Sequence, residues 1–153
     1  FTFPKPQIEG LNFSFSGLKT SILYFLDHAG KTFSYKPEWK VSMEERENFI
    51  QANLADLCAS IQYRIITILL DKLKKAVAET GIKTLCLAGG VSANKGLRKA
   101  LIELGEKENW QISIPDFEYC TDNAAMIAIT AHHKFIAGQT ASLNQASSAR
   151  AIW

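Results

Sequence analysis

The sequence predicts an α/β fold with a mixed sheet and flanking helices, on three observations. Short apolar runs alternate with stretches whose apolar residues recur at helical spacing. Two of those runs stop at turn signals, Gly89-Gly90 and Pro115. A long helical segment ahead of both opens on a capping box and closes on glycine. Elements in this alternation favour a sheet covered by helices. The chain has 153 residues, 47% of them hydrophobic, enough for one substantial core. The domain is placed at 1–138, followed by a tail at 139–153.

Residues Phe1 to Glu9 carry two prolines and read as an extended entry. Leu11 to Phe15 alternates apolar and polar residues, the period of a half-buried strand. Leu18, Ile22, Phe25 and Leu26 then fall at helical spacing, with Gly30 as the stop. Lys31 to Val41 holds Pro37, has no clear period, and reads as a surface loop. Ser42-Met43-Glu44-Glu45 is the capping box, in which serine oxygen and glutamate carboxylate satisfy N–H groups of a first helical turn. Its helix carries an apolar stripe of Leu54, Leu57, Cys58, Ile61, Ile65, Ile68 and Leu69. The wetter end has Lys72, Lys74, Lys75 and Glu79, and Gly81 closes it.

Lys83 to Ala88 is a short apolar run suited to a buried strand that enters a tight turn at Gly89-Gly90. Ser92 is the expected N-cap of a helix from about Asn94 to Lys107. Trp110 to Ile114 reads as another strand. Thr121-Asp122 is the expected cap of a helix from Ala124 to Ala137 that ends at Gly138. The tail from Gln139 is Ala/Ser-rich and weakly patterned apart from Trp153.

Composition excludes several classes. Disordered and fibrous chains are richer in charge runs, proline or glycine than this one. A formal charge of +2 gives little support for an RNA partner and does not exclude one. The longest apolar stretches fall short of the ~20 residues that a membrane span needs. Cys58, Cys86 and Cys120 lack the close spacing of a zinc knuckle and read as free thiols, small buried hydrophobes in a reducing cytoplasm. The opening Phe1-Thr2-Phe3-Pro4, without methionine, reads like the middle of a larger protein.

Three segments invite chemistry. Leu87 to Asn94 places Gly89 and Gly90 after a buried strand and before a helix. There bare backbone and free N–H groups suit a phosphate or ribose, and Asn94 both donates and accepts. A tight turn without ligand explains the same pattern equally well. Tyr119 to Met126 holds Asp122, which is either a helix cap or a metal-binding carboxylate. A catalytic metal needs further ligands, and the three histidines offer no i, i+4 pair: His132 and His133 are adjacent, so they point about 100° apart on a helix. Asn12 to Thr20 contains Gly-Leu-Lys-Thr, which lacks the adjacent Gly-Lys of a phosphate-binding loop. It reads as a strand-to-helix corner with Lys19 as a candidate anion contact.

Phe-Ser-Phe-Ser-Gly-Leu-Lys-Thr, Ala-Gly-Gly-Val-Ser-Ala-Asn and Cys-Thr-Asp-Asn-Ala-Ala-Met-Ile, in this order and separation, resemble three signature segments of the tRNA N6-adenosine threonylcarbamoyltransferase family. That family is also labelled O-sialoglycoprotein endopeptidase or glycoprotease. The likeness runs from Phe3 to about Gly138. It implies the C-terminal lobe of an actin-like ATPase fold (Hsp70/actin, RNase H-like), and transfer of threonylcarbamoyl from threonylcarbamoyl-AMP to N6 of the adenosine next to the anticodon of tRNA. It further implies that Gly89, Gly90 and Asn94 bind the nucleotide part of the substrate. Asp122 would be a ligand of one divalent metal ion, iron or zinc. The partners it implies are tRNA, a related actin-like subunit and a small P-loop ATPase. The family's His-x-x-x-His ligands have no counterpart here, so the isolated chain is expected to be inactive. Two rival readings are a metal-dependent glycoprotease and a non-catalytic actin-like scaffold subunit.

Overall fold

The computed structural model describes residues 1–146; the rest of the tail, including Trp153, lies outside the described residues. The chain is α/β, mostly helical, with a small parallel sheet. Two compact units divide it. Phe1–Cys86 with Asn94–Ser113 forms the first, and Leu87–Ala93 with the residues from Ile114 onward forms the second.

In the first unit, helix α1 (Ser16–Asp27) buries Leu18, Ser21 and Phe25. The stretch before it, expected as a strand, is not one. Leu11 to Phe15 forms no ladder, and Leu11 and Phe13 are exposed. Its alternation is still visible in the geometry: the Phe13 and Phe15 rings, two residues apart, stack at 6.5 Å with planes 6° apart. A strand needs a neighbour for its N–H and C=O groups, and among the described residues the strands Thr84–Cys86 (β1) and Gln111–Ser113 (β2) pair only with each other. For the same reason the expected mixed sheet is a two-stranded parallel one, β1 (Thr84–Cys86) beside β2 (Gln111–Ser113).

Helix α1 ends at Asp27, before Gly30, because the chain turns left-handed at Ala29 (φ 45°) and again at Gly30 (φ 83°). His28, fully buried at that end, sets one ring nitrogen 2.6 Å from the Tyr24 carbonyl oxygen and the other 2.8 Å from that of Lys36. The imidazole therefore ties the following loop to the helix. Within that loop Pro37–Trp39 makes a single 3₁₀ turn.

Helix α2 (Met43–Thr80) has 38 residues, about 57 Å at 1.5 Å per residue. Both ends are built as the sequence predicts. The Glu45 carboxylate accepts from the Ser42 N–H at 3.0 Å, and the Ser42 hydroxyl accepts from the Glu45 N–H at 3.2 Å. Gly81, at φ 71°, donates to the Val77 carbonyl. The buried seam is narrower than the predicted stripe: Leu57 and Ile68 are in the core, with Ile50, Ile61 and Ile65 against it, whereas Leu54 and Cys58 are exposed.

The core that α1 and α2 share is largely aromatic. Phe25 stacks on Phe33 at 4.6 Å and meets Phe3 edge-on at 5.4 Å. Such pairs add about 0.5–1.5 kcal/mol beyond area burial. The extended entry is strapped along α2. Lys5 pairs with Asp71, and the Lys72 ammonium donates to the carbonyl oxygens of Ile8 and Gly10, 2.6 Å each.

Helix α3 (Lys95–Glu108) buries Leu97, Leu101, Leu104 and Gly105. It lies so close to β2 that a Cβ on Gly105 would come within 2.4 Å of Ile112 Cγ1. In the second unit a 3₁₀ turn at Phe117–Tyr119 precedes helix α4 (Ala124–Ile136). Every residue of α4 is exposed, although most are apolar. Among the described residues, no helix is long and apolar enough to cross a membrane.

Candidate functional site

The glycine turn after β1 is a device of the backbone. Gly89 sits at φ 82°, a conformation that side chains with a Cβ rarely adopt. Its carbonyl accepts from the Ser92 N–H at 2.9 Å, closing a 3₁₀ turn over Gly90–Ala93. A Cβ built on Gly89 or Gly90 would meet nothing within 4 Å, so the bare backbone faces open space.

That open space is a cavity of about 430 Å³ within the second unit. Gly89 and Gly90 line it together with Tyr119, Thr121, Asp122 and Met126. Two of the segments singled out in the sequence, separated by α3 and β2, thus meet in one concavity of a size that small ligands use.

The capping expectations are corrected on both sides of this site, in the same direction. Asn123, rather than Thr121 or Asp122, caps α4: its side-chain oxygen accepts from the Met126 N–H at 3.0 Å, and its amide donates to the Thr121 carbonyl at 2.9 Å. A shift of one residue frees the Asp122 carboxylate, which is exposed and faces the cavity rather than closing a helical turn. Likewise Asn94, rather than Ser92, caps α3, accepting from the Leu97 N–H at 3.0 Å, while Ser92 is fully buried within the 3₁₀ turn. The Asn94 oxygen is therefore committed to the helix. Its amide donates to Gln62 Oε1 at 3.5 Å.

The remaining candidates do not assemble a site. Lys19 is an exposed residue of α1's first turns, with no partner grouping around it among the described residues. Cys120 alone of the three thiols is buried, its Sγ 3.5 Å from the Asp116 carbonyl oxygen; Cys58 and Cys86 are exposed, and among the described residues none of the three is in a disulfide. His132 and His133 are exposed, their rings 5.7 Å apart, and both nitrogens of His28 lie against carbonyl oxygens. Among the described residues no three His, Cys, Asp or Glu side chains are grouped to hold a metal ion. Asp122 is a single oxygen donor, and by themselves these residues do not make a metal centre.

Tyr119 is the cavity residue to which the sequence assigned no role. It is half exposed, and the Glu118 carboxylate, accepting from its hydroxyl and adding negative charge nearby, raises the phenol above its ordinary pKa. The hydroxyl accordingly keeps its proton at neutral pH. The signal available in the sequence was an aromatic residue directly before the Cys-Thr-Asp-Asn segment, on the far side of Pro115 from the strand.

Comparison with known proteins agrees with the motifs. The family model for tRNA N6-adenosine threonylcarbamoyltransferase matches residues 1–129. A protein of that name from Christiangramia forsetii is 54% identical over 136 residues, which is 89% of this chain and 36% of the relative. One from Riemerella anatipestifer is 47% identical over 150 residues, 98% of this chain and 40% of the relative. One from Cytophaga hutchinsonii is 48% identical over 136 residues. The chain spans well under half the length of these curated relatives. It belongs to the tRNA N6-adenosine threonylcarbamoyltransferase family.

Proposed function

We propose that this chain is the C-terminal part of a transferase that moves threonylcarbamoyl from threonylcarbamoyl-AMP to N6 of the adenosine beside the anticodon of tRNA. The observation that carries the reading is the single cavity shared by Gly89, Gly90 and Asp122. The glycine turn accepts the nucleotide part of the donor: its backbone is bare, open and followed by a 3₁₀ turn whose N–H groups suit an anion. The Asn94 amide adds a hydrogen-bond donor. Asp122 supplies one oxygen toward a divalent metal, iron or zinc, whose other ligands come from outside this chain. In the reaction the adenine amine attacks the carbamoyl carbon, the bond to the phosphate oxygen breaks, the amine loses its proton and AMP departs. Holding AMP at the glycine turn keeps the carbonyl aligned for that attack. An anticodon loop is unpaired, so its base is presented without melting a duplex.

In this reading the chain is a lobe of an actin-like fold that works with a related actin-like subunit and a small P-loop ATPase. The glycoprotease and scaffold readings are not favoured, since the family model and the relatives above carry the transferase name.

The test is threonylcarbamoyl transfer to tRNA by the complete protein carrying this sequence, with its partners, comparing wild type with Asp122→Ala. Because Asp122 is exposed and is not the helix cap, the variant is expected to unfold within about 0.5 kcal/mol of wild type. Transfer is expected to fall by about 100-fold or more, with bound metal falling in parallel. Near-normal turnover with metal retained would sink the assignment of Asp122.

A further inference from the structure

The loop between α1 and α2, in the first unit, is exposed yet fixed. Residues 34–40 all lie at the surface. Their backbone is held by a His28 ring nitrogen against the Lys36 carbonyl, by the Val41 N–H donating to the Asp27 carbonyl at 3.1 Å, and by the 3₁₀ turn over Pro37–Trp39. A fully buried imidazole thus serves a segment that buries none of its own residues. What the segment presents is aromatic and cationic in alternation: Tyr35-Lys36, then Trp39-Lys40, with the two rings 58% and 41% exposed. The Tyr35 ring lies 5.5 Å from that of Tyr24 on α1, and the Lys36 ammonium 4.9 Å from the centre of the Trp39 ring. Nearby charges are already engaged. Arg46 pairs with Asp27 at 3.3 Å, and the charge of Lys31 acts on Glu45, whose carboxylate caps α2. Among the described residues neither the Lys36 nor the Lys40 ammonium is in an ion pair, whereas Lys5 is spent on Asp71 and Lys72 on two backbone carbonyls.

We infer that Tyr35, Lys36, Trp39 and Lys40 form a contact surface for an unpaired segment of RNA. The inference rests on the tRNA reading above and adds to it a place on this chain where the RNA is held. An exposed ring offers its face to an unstacked base, which a duplex does not present, and the lysine next to it in sequence meets a phosphate. That ring-then-cation repeat matches the base-then-phosphate alternation of a single strand, and it favours RNA over a protein partner. Because the loop is already ordered, little conformational freedom is lost on binding. Glu38 in the loop, with Glu44 and Glu47 on the first turns of α2, keeps the region from being strongly basic. Stacking, rather than net charge, therefore supplies most of the affinity.

The experiment is equilibrium binding of two probes, unmodified tRNA and a fully paired RNA duplex, to the complete protein carrying this sequence. It compares wild type with Tyr35→Phe, Tyr35→Leu, Trp39→Phe, Trp39→Leu and the double variant Lys36→Gln, Lys40→Gln. The Phe variants are expected to bind tRNA within about twofold of wild type, and the Leu variants about 10-fold more weakly. The double lysine variant is expected to flatten the slope of log affinity against log salt by about 1.4, for two phosphate contacts on a single strand. The duplex, whose bases are stacked on one another, is expected to bind wild type and the ring variants alike. Binding of tRNA that is indifferent to loss of either ring overturns the inference while leaving tRNA as the substrate. If transfer in the presence of the partner proteins is then lost all the same, the surface belongs to a protein instead. Equal weakening of both probes also overturns it, because the rings would then be supporting the local fold rather than holding bases. Failure of wild type to bind tRNA defeats the tRNA reading itself, and this inference with it.

Discussion

Helices α2 and α4 are both rich in apolar residues, and the molecule treats them in opposite ways. In α2 the apolar residues recur on one face, and that face has an answer: Leu57 and Ile68 are buried against Phe3, Leu18 and Phe25. The opposite face carries lysine, glutamate and glutamine and meets water. In α4 the sequence Ala-Ala-Met-Ile-Ala-Ile-Thr-Ala is apolar nearly all round, the pattern of a helix covered on every side. Yet Ile127, Ile129, Phe135 and Ile136 are 54–73% exposed, and none of the helix is buried among the described residues. Hydrophobic residues stabilise only where they leave water. The two helices thus differ less in composition than in whether the described chain supplies a partner surface.

The largest contrast comes from the two helices' environments. Phe25→Ala removes a ring that packs on Phe3, Phe33 and Phe49 and is expected to destabilise the chain by about 3–5 kcal/mol in urea unfolding. Ile127→Ala in α4 is expected to change the same midpoint by less than about 0.5 kcal/mol. Similar losses from both variants would mean that α4 is covered after all. A middle-sized effect is expected from Gly105→Ala, whose methyl has no room against Ile112: about 1–3 kcal/mol, despite the better helix propensity of alanine. A gain in stability would show that α3 and β2 can move apart freely.

The smallest effect concerns only the start of α2. Ser42→Ala removes the capping hydroxyl and is expected to cost about 1 kcal/mol. The Glu45 carboxylate is held below its ordinary pKa, first by the Ser42 backbone N–H, then by the Ser42 hydroxyl and the charge of Lys31. A depressed folded value means that its contribution is present above the unfolded pKa and is lost as pH falls through the folded one. Amide exchange in the first turn of α2 should therefore quicken as the solution is acidified through the carboxylate range. Glu45→Gln should remove that dependence, and an unchanged acid response in that variant would assign it to another group.

Local chemistry was legible where a few adjacent residues settle the outcome. The capping box at Ser42, the glycine stop at Gly81, and the glycine turn at Gly89-Gly90 all stand where the sequence puts them. The two parallel strands are there as well, shorter than their apolar runs because only three residues of each find a partner. The caps of α3 and α4 were misplaced by one or two residues. Ser92, Asn94, Asp122 and Asn123 are all competent caps, and the choice among them depends on backbone geometry that spacing does not carry. The consequence for the site is direct: Asp122, which does not cap, stays exposed on the cavity lining.

Composition, periodicity and capping residues determined by themselves the helices and the glycine turn, because hydrogen bonds within a few residues decide those features, whereas the strands needed partners from distant sequence. The three signature segments marked the family for the same reason, as strings of adjacent residues. Tertiary structure alone decided that Leu11 to Phe15 stays unpaired, that His28 is buried between two carbonyls, and that Gly89 and Asp122 share a cavity with Tyr119. Each of these depends on which distant residue occupies the neighbouring space, and a linear pattern holds no measure of that distance.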